Sequence, residues 1–198
     1  MKKFFTILIS IFFLNSFSLL AYSSDPKEFI SELVNEAISK LADKNSTKEN
    51  KSEFIEKVAS ENVDIEALGL YTLGELRKSS EKETLEKYQK AFEKYFLKSL
   101  TSRLTDYSTS KFEILGIDKK SVNYTIVNSK VIPQDGKPEI KIDWRIYTKD
   151  PEKPLIRDLI VEGLSLARTQ KEEFNSIIQN NDGDINALFK TLEEFLIK

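Results

Sequence analysis

Apolar side chains recur at three- and four-residue spacing over residues 26–42, where Phe29, Ile30, Leu33, Val34, Ala37, Ile38 and Leu41 fall on one helical face. Asp25 stands where a capping carboxylate belongs, with Pro26 at the first helical position. Residues 43–52 hold no apolar side chain and read as a polar break, after which Phe54, Ile55 and Val58 mark a short helix. Asp64 is the next cap. It opens residues 65–78, which are apolar almost all round (Ile65, Ala67, Leu68, Leu70, Tyr71, Leu73, Leu76) and are expected deep in the molecule. The longest helix is predicted over about residues 81–106, its stripe of Leu85, Tyr88, Ala91, Phe92, Tyr95, Phe96, Leu100 and Leu104 rich in aromatics.

In the second half the period changes to two. Residues 111–117, 121–131, 139–147 and 155–161 read as strands. The third alternates most cleanly, with Ile140, Ile142, Trp144 and Ile146 against Lys141, Asp143 and Arg145, as in a sheet with one wet side. Turn-rich connections at 133–138 and 150–154 make the strands antiparallel neighbours. Glu162 and Gly163 break the fourth strand, and helices over about 164–180 and 185–197 close the chain. Four consecutive strands with helices before and after give an α+β layout in a single domain rather than a doubly wound one. An apolar sheet face flanked by aromatic-rich helices fits either a closed core or a cavity.

Residues 1–23 stand apart from this pattern. Lys2 and Lys3 precede a largely apolar run over residues 4–20, and Ala21 and Ser23 supply small residues for a signal peptidase. They are read as a cleaved export signal, which leaves a domain of residues 24–198 and places it in the periplasm. The run is broken by Thr6, Ser10, Asn15, Ser16 and Ser18, marginal for a membrane span.

Composition narrows the chemistry. The chain has 198 residues, a formal net charge of −2, no His and no Cys. That removes imidazole bases, catalytic triads built on His, thiol nucleophiles, disulfides and thiolate or imidazole metal sites. No cofactor, metal site or catalytic residue is expected. Gly69 and Gly74 have the spacing of a phosphate loop, but Glu75 and Leu76 stand where Lys and Ser or Thr are required. Asp158 and Glu162 face the same way on a strand yet lie about 13 Å apart at the usual rise, beyond the roughly 5–9.5 Å of paired glycosidase carboxylates. The lysines alternate with Glu along the helices, which is a solvated face and not a nucleic-acid stripe.

Two stretches carry more than pattern. One holds Val63-Asp64-Ile65-Glu66, Tyr71-Thr72-Leu73-Gly74 and Tyr88-Gln89-Lys90-Ala91-Phe92. The other runs from Ile156-Arg157-Asp158 through Val161-Glu162-Gly163-Leu164-Ser165-Leu166 to Phe174-Asn175-Ser176-Ile177-Ile178. Together they resemble the MlaC / toluene-tolerance family of periplasmic phospholipid-binding proteins, over nearly all of residues 24–198. The specific part is the Asp158–Ser165 block, which matches the family's Asp, Glu-Gly and Ser spacing. Two departures stand out: Pro154 and Leu155 lie where the family usually has Trp, and Glu75 and Leu76 replace an aromatic after Leu-Gly.

The resemblance implies N-terminal helices, a four-stranded antiparallel sheet like that of nuclear transport factor-like domains, and C-terminal helices enclosing an apolar lipid pocket. It implies a monomeric carrier of diacyl phospholipid between an outer-membrane lipoprotein–porin complex and an inner-membrane ABC transporter with a substrate-binding ring. Candidate lipid-binding residues are the inward apolar positions of both layers. From the helices these are Tyr71, Leu73, Phe92, Phe96, Leu100, Leu166 and Phe174; from the strands, Tyr124, Ile142, Trp144, Ile146, Leu159 and Val161. Ordinary core packing is the competing reading for each. Arg168 and Lys171 are candidates for weak headgroup contact. The rival functions are a carboxylate-dependent hydrolase on the same fold and a protein-binding module with a solid core.

Overall fold

The computed structural model describes residues 22–104, 110–133 and 137–197. Residues 1–21, which make up most of the expected export signal, lie outside the described residues. No helix among the described residues is long and apolar enough to cross a membrane. Tyr22 and Ser23, assigned to the signal by sequence, contact the first helix: the Tyr22 hydroxyl donates to Glu36 and its ring meets Phe29 edge-on at 6.1 Å.

Helix α1 (Pro26–Ala42) starts where Asp25 accepts from the Lys27 and Glu28 N–H groups at 2.9 and 3.0 Å. Helix α2 (Lys48–Asn62) is longer than its apolar pattern indicates, because Thr47 caps it through the Asn50 N–H at 3.2 Å. The polar break is therefore half helix, a first turn of largely exposed charged residues. Helix α3 (Ile65–Thr72) begins at Asp64, which accepts from the Ala67 N–H at 3.1 Å. It ends earlier than residue 78, because Gly74 takes a φ of +64°, the left-handed conformation that closes helices and that a Cβ disfavours. The single turn α4 (Leu76–Ser79) follows.

Helix α5 (Lys82–Leu104) is the axis of the helical layer. Its Tyr88 and Phe92 are buried against Phe174 and Ile178 of α6 (Leu166–Gln179) and Leu188, Phe189 and Leu192 of α7 (Ile185–Ile197). Helix α3 comes so close to α5 that a Cβ at Gly69 would clash with the Gln89 side chain and lie 2.9 Å from the Phe92 ring.

The sheet holds five antiparallel strands in sequence order, one more than expected: β1 (Ser110–Ser121), β2 (Tyr124–Pro133), β3 (Ile140–Tyr147), β4 (Leu155–Val161) and β5 (Leu164–Ser165). The fifth is only two residues and folds back on β4 through Glu162 and Gly163, both at positive φ, a hairpin turn rather than the simple break expected. Register sorts the faces. Val127, Trp144 and Leu159 are cross-strand neighbours, and with Ile146 and Ile156 they pack under Phe29, Ile30 and Leu33 of α1. The opposite face carries Ile126, Arg145 and Asp158 in one row and Asn128, Asp143 and Ile160 in the next. Arg157 is the extra residue of a bulge, skipped where the pairing shifts between Arg145 and Ile146. Before α3, Val63 bridges to Ile156 and the Asp64 N–H donates to the Ile156 carbonyl at 2.9 Å, tying the helical layer to β4.

Candidate functional site

The second face of the sheet is not sealed by the helices above it. Between it, α3 and the start of α6 lies a cavity of about 900 Å³ whose surface is predominantly apolar. Ala67, Leu68 and Leu70 of α3, Ala167 of α6, and Ile126 and Ile160 of the sheet supply that apolar surface. The exposed lining residues are Tyr71, Arg77, Asp118, Lys120 and Ser121, which puts the mouth between the β1–β2 hairpin and the α3–α4 turn. A second cavity of about 180 Å³ reaches into the helical layer along Phe92, Phe96 and Leu100, and Leu68 and Ala167 line both.

Polar groups on the wall are held in place by one another. Asp158, with its side chain only 1% exposed, accepts from the Ser165 hydroxyl at 2.6 Å and the Ala167 N–H at 3.0 Å, and pairs with Arg145 at 3.4 Å. Ser165 in turn caps α6 through the Arg168 N–H. The buried carboxylate thus holds the positive end of α6 to the sheet. Asp64 takes two bonds from Arg157, at 2.6 and 2.8 Å. Arg157 also donates to the Tyr124 hydroxyl at 2.8 Å, and its guanidinium carbon lies 3.4 Å from the Tyr147 ring centroid. Burial lowers the Arg157 pKa, but the bonds to Tyr124 and Asp64 outweigh it and raise the net value. Asp143 accepts from the Asn128 amide at 2.8 Å. Glu162, the other half of the carboxylate pair tested in the sequence, is exposed in the β4–β5 turn and bonds the Lys141 N–H.

The residues nominated from sequence separate into three groups. Tyr71 and Tyr124 line the large cavity, while Phe92, Phe96, Leu100 and Leu166 line the small one. Leu73 and Phe174 are buried in the helical core. Ile142, Trp144, Ile146, Leu159 and Val161 share the sheet face turned toward α1; Ile146 is fully buried there, and the Trp144 indole donates to Ser129 at 2.9 Å. The cavity therefore opens on the face that alternation assigned to solvent. Asp143 and Arg145 were not nominated for that reason; Asn128 shares a face with the nominated Tyr124, and Arg157, which alternation groups with Leu159 and Val161, reaches the cavity as the bulge residue. One signal was available: Ile126 and Ile160 interrupt the polar face, and a purely solvent-facing row has no need of them. Of the two headgroup candidates, Lys171 lies 5.4 Å from the Tyr71 ring centroid beside the mouth, and Arg168 pairs with exposed Glu172 at 3.8 Å.

A helical layer held off an antiparallel sheet, leaving a largely apolar cavity with one charged mouth, defines a ligand-enclosing α+β domain. The chain belongs to the MlaC family, whose sequence model, described as MlaC protein, matches residues 31–194. Among solved structures it is similar to the phospholipid-binding protein from Ralstonia solanacearum in complex with a phospholipid. The TM-score is 0.72 at 14% sequence identity, covering 86% of this chain and 96% of that one, a likeness that establishes the fold. No curated protein matches the chain.

Proposed function

We propose that this protein is a periplasmic carrier that takes up one diacyl phospholipid, with the acyl chains in the large cavity and the headgroup at its mouth. The observation that carries this reading is the cavity of about 900 Å³ with its apolar walls, at the upper end of the roughly 300–1,000 Å³ usual for ligand sites. Membership of the MlaC family and the fold shared with a protein solved with phospholipid support the same choice of ligand. Burying acyl chains gains about 0.8 kcal/mol per methylene over water, so two chains of about fifteen methylenes gain on the order of 20 kcal/mol gross. A bilayer offers nearly the same gain, so exchange with a membrane is close to balanced and no covalent step is needed. The carrier cannot itself set a direction. In this reading it exchanges cargo with an inner-membrane ABC transporter bearing a substrate-binding ring and an outer-membrane lipoprotein–porin complex, and so maintains outer-membrane lipid asymmetry.

The test is native mass spectrometry of the protein purified from a bacterial periplasm, followed by organic extraction. A mass increment of one diacyl phospholipid per chain, lost on extraction, is the expected result. Protein that is empty on purification and stays empty after incubation with liposomes overturns the reading and favours a protein-binding module.

A further inference from the structure

The charges around the large cavity are not distributed evenly between floor and mouth. On the inner wall each arginine is answered by a carboxylate, Arg145 by Asp158 and Arg157 by Asp64. At the mouth Lys120 is paired with Asp118, whereas Arg77 has no hydrogen bond or ion pair among the described residues. Its neighbour Glu75 is taken by Lys78 at 2.8 Å. Lys171 lies against the same turn, with its Cε 3.3 Å from where a Cβ on Gly74 would sit and its ammonium over Tyr71. The Glu75 carboxyl is held below its usual range by the Lys78 bond first, and also by the fields of Arg77 and Lys171. A chain with a net charge of −2 thus gathers unneutralised positive charge at the entrance to its cavity.

Resting on the carrier reading, we propose that Arg77, supported by Lys171, forms an anion subsite that selects phospholipids with a net-negative headgroup over zwitterionic ones. Every glycerophospholipid offers a phosphodiester to which a guanidinium can donate two parallel bonds. Discrimination comes from what lies beyond it. A glycerol headgroup leaves the phosphate charge uncancelled, whereas an ethanolamine ammonium offsets it and is repelled by the rim. Exposed charge pairs of this kind support a selection of about two- to fivefold, weakened by salt because the rim lies open to solvent.

The test incubates lipid-free protein with vesicles containing equal amounts of phosphatidylglycerol and phosphatidylethanolamine with identical acyl chains, then extracts and weighs the bound lipid. The expected ratio favours phosphatidylglycerol about two- to fivefold at low salt, falls toward one in Arg77→Gln and drops below one in Arg77→Glu. Arg77 is exposed, so both variants should fold, and a melting curve confirms it. A ratio of one in the parent protein, or a ratio that Arg77→Gln does not move, overturns the selection while leaving the carrier reading intact. Uptake of neither lipid overturns the carrier reading itself. A parallel titration with inorganic phosphate separates the two sources of a phosphate group. Saturable binding of free phosphate that Arg77→Gln abolishes, with an unchanged lipid ratio, would assign the rim to a soluble anion instead.

Discussion

On one face of the sheet Val127 and Ile146 have no exposure at all, pressed beneath Phe29 and Ile30 of α1. On the other, Ile126, Arg145 and Ile160 look across open volume toward Leu68, Leu70 and Ala167. The same strands supply both. The difference lies in what each face asks of its residues. Against α1 the sheet presents near-uniform aliphatic and aromatic surface, which needs only close packing. Toward α3 and α6 it presents charges whose partners are fixed in advance, so that the wall stands without a helix pressed onto it. The helical layer meets the sheet along β4 and leaves open volume over β2 and β3.

The largest test of this contrast exchanges an aliphatic residue for arginine on each face. Ile146→Arg buries an unpaired charge under α1 and should cost more than about 4 kcal/mol, abolishing the cooperative melting transition. Ile160→Arg projects into the cavity, where it should leave a melting transition and eliminate bound lipid as measured by mass spectrometry. Unfolding by both variants would mean that the cavity face is core after all.

Next is the tie itself. Asp158→Ala strands Arg145, the Ser165 hydroxyl and the Ala167 N–H, and should lower stability by about 2–3 kcal/mol in urea titrations. A loss of only a few tenths would show that α6 is positioned by packing alone. Gly69→Ala probes the close approach within the helical layer. The added methyl must displace Gln89 and crowd Phe92, so a loss of about 1–3 kcal/mol is expected, with lipid uptake retained. The smallest effect concerns pH. Burial pushes the Tyr88 phenol up, against the opposing effect of its bond to Thr72. The unfolded phenol ionises near pH 10, so stability is full below that value and falls as pH rises through it. The urea midpoint measured from about pH 8 to about pH 11 should decline, and Tyr88→Phe should flatten part of that decline, with Tyr95, also raised by burial, supplying some of the rest.

Much of the architecture was legible in the chain. Capping residues Asp25 and Asp64 mark helix starts, and the period-two alternation of β3 assigns its residues to two faces without error. Two local elements escaped because they lack an apolar signature. The first turn of α2 rests on Thr47 alone, and β5 is two residues whose existence depends on the turn before it. The site was harder to read. Alternation separates Trp144 from Arg145 but does not say which face meets a helix and which meets a void. That depends on where α1, α3 and α6 dock, a tertiary outcome. Arg145 and Arg157 are polar, and polar residues on a strand read as solvated until Asp158 and Asp64 are seen to hold them.

The ties between α3, α6 and the sheet gather along β4: the Val63 bridge, Asp64 with Ile156 and Arg157, and Asp158 with Ser165 and Ala167. The mouth lies at the β1–β2 hairpin. The two layers are bound like a book, stitched along β4 and parted where the cavity opens. A movement of the helical layer that hinged along β4 would widen the mouth while leaving these ties in place.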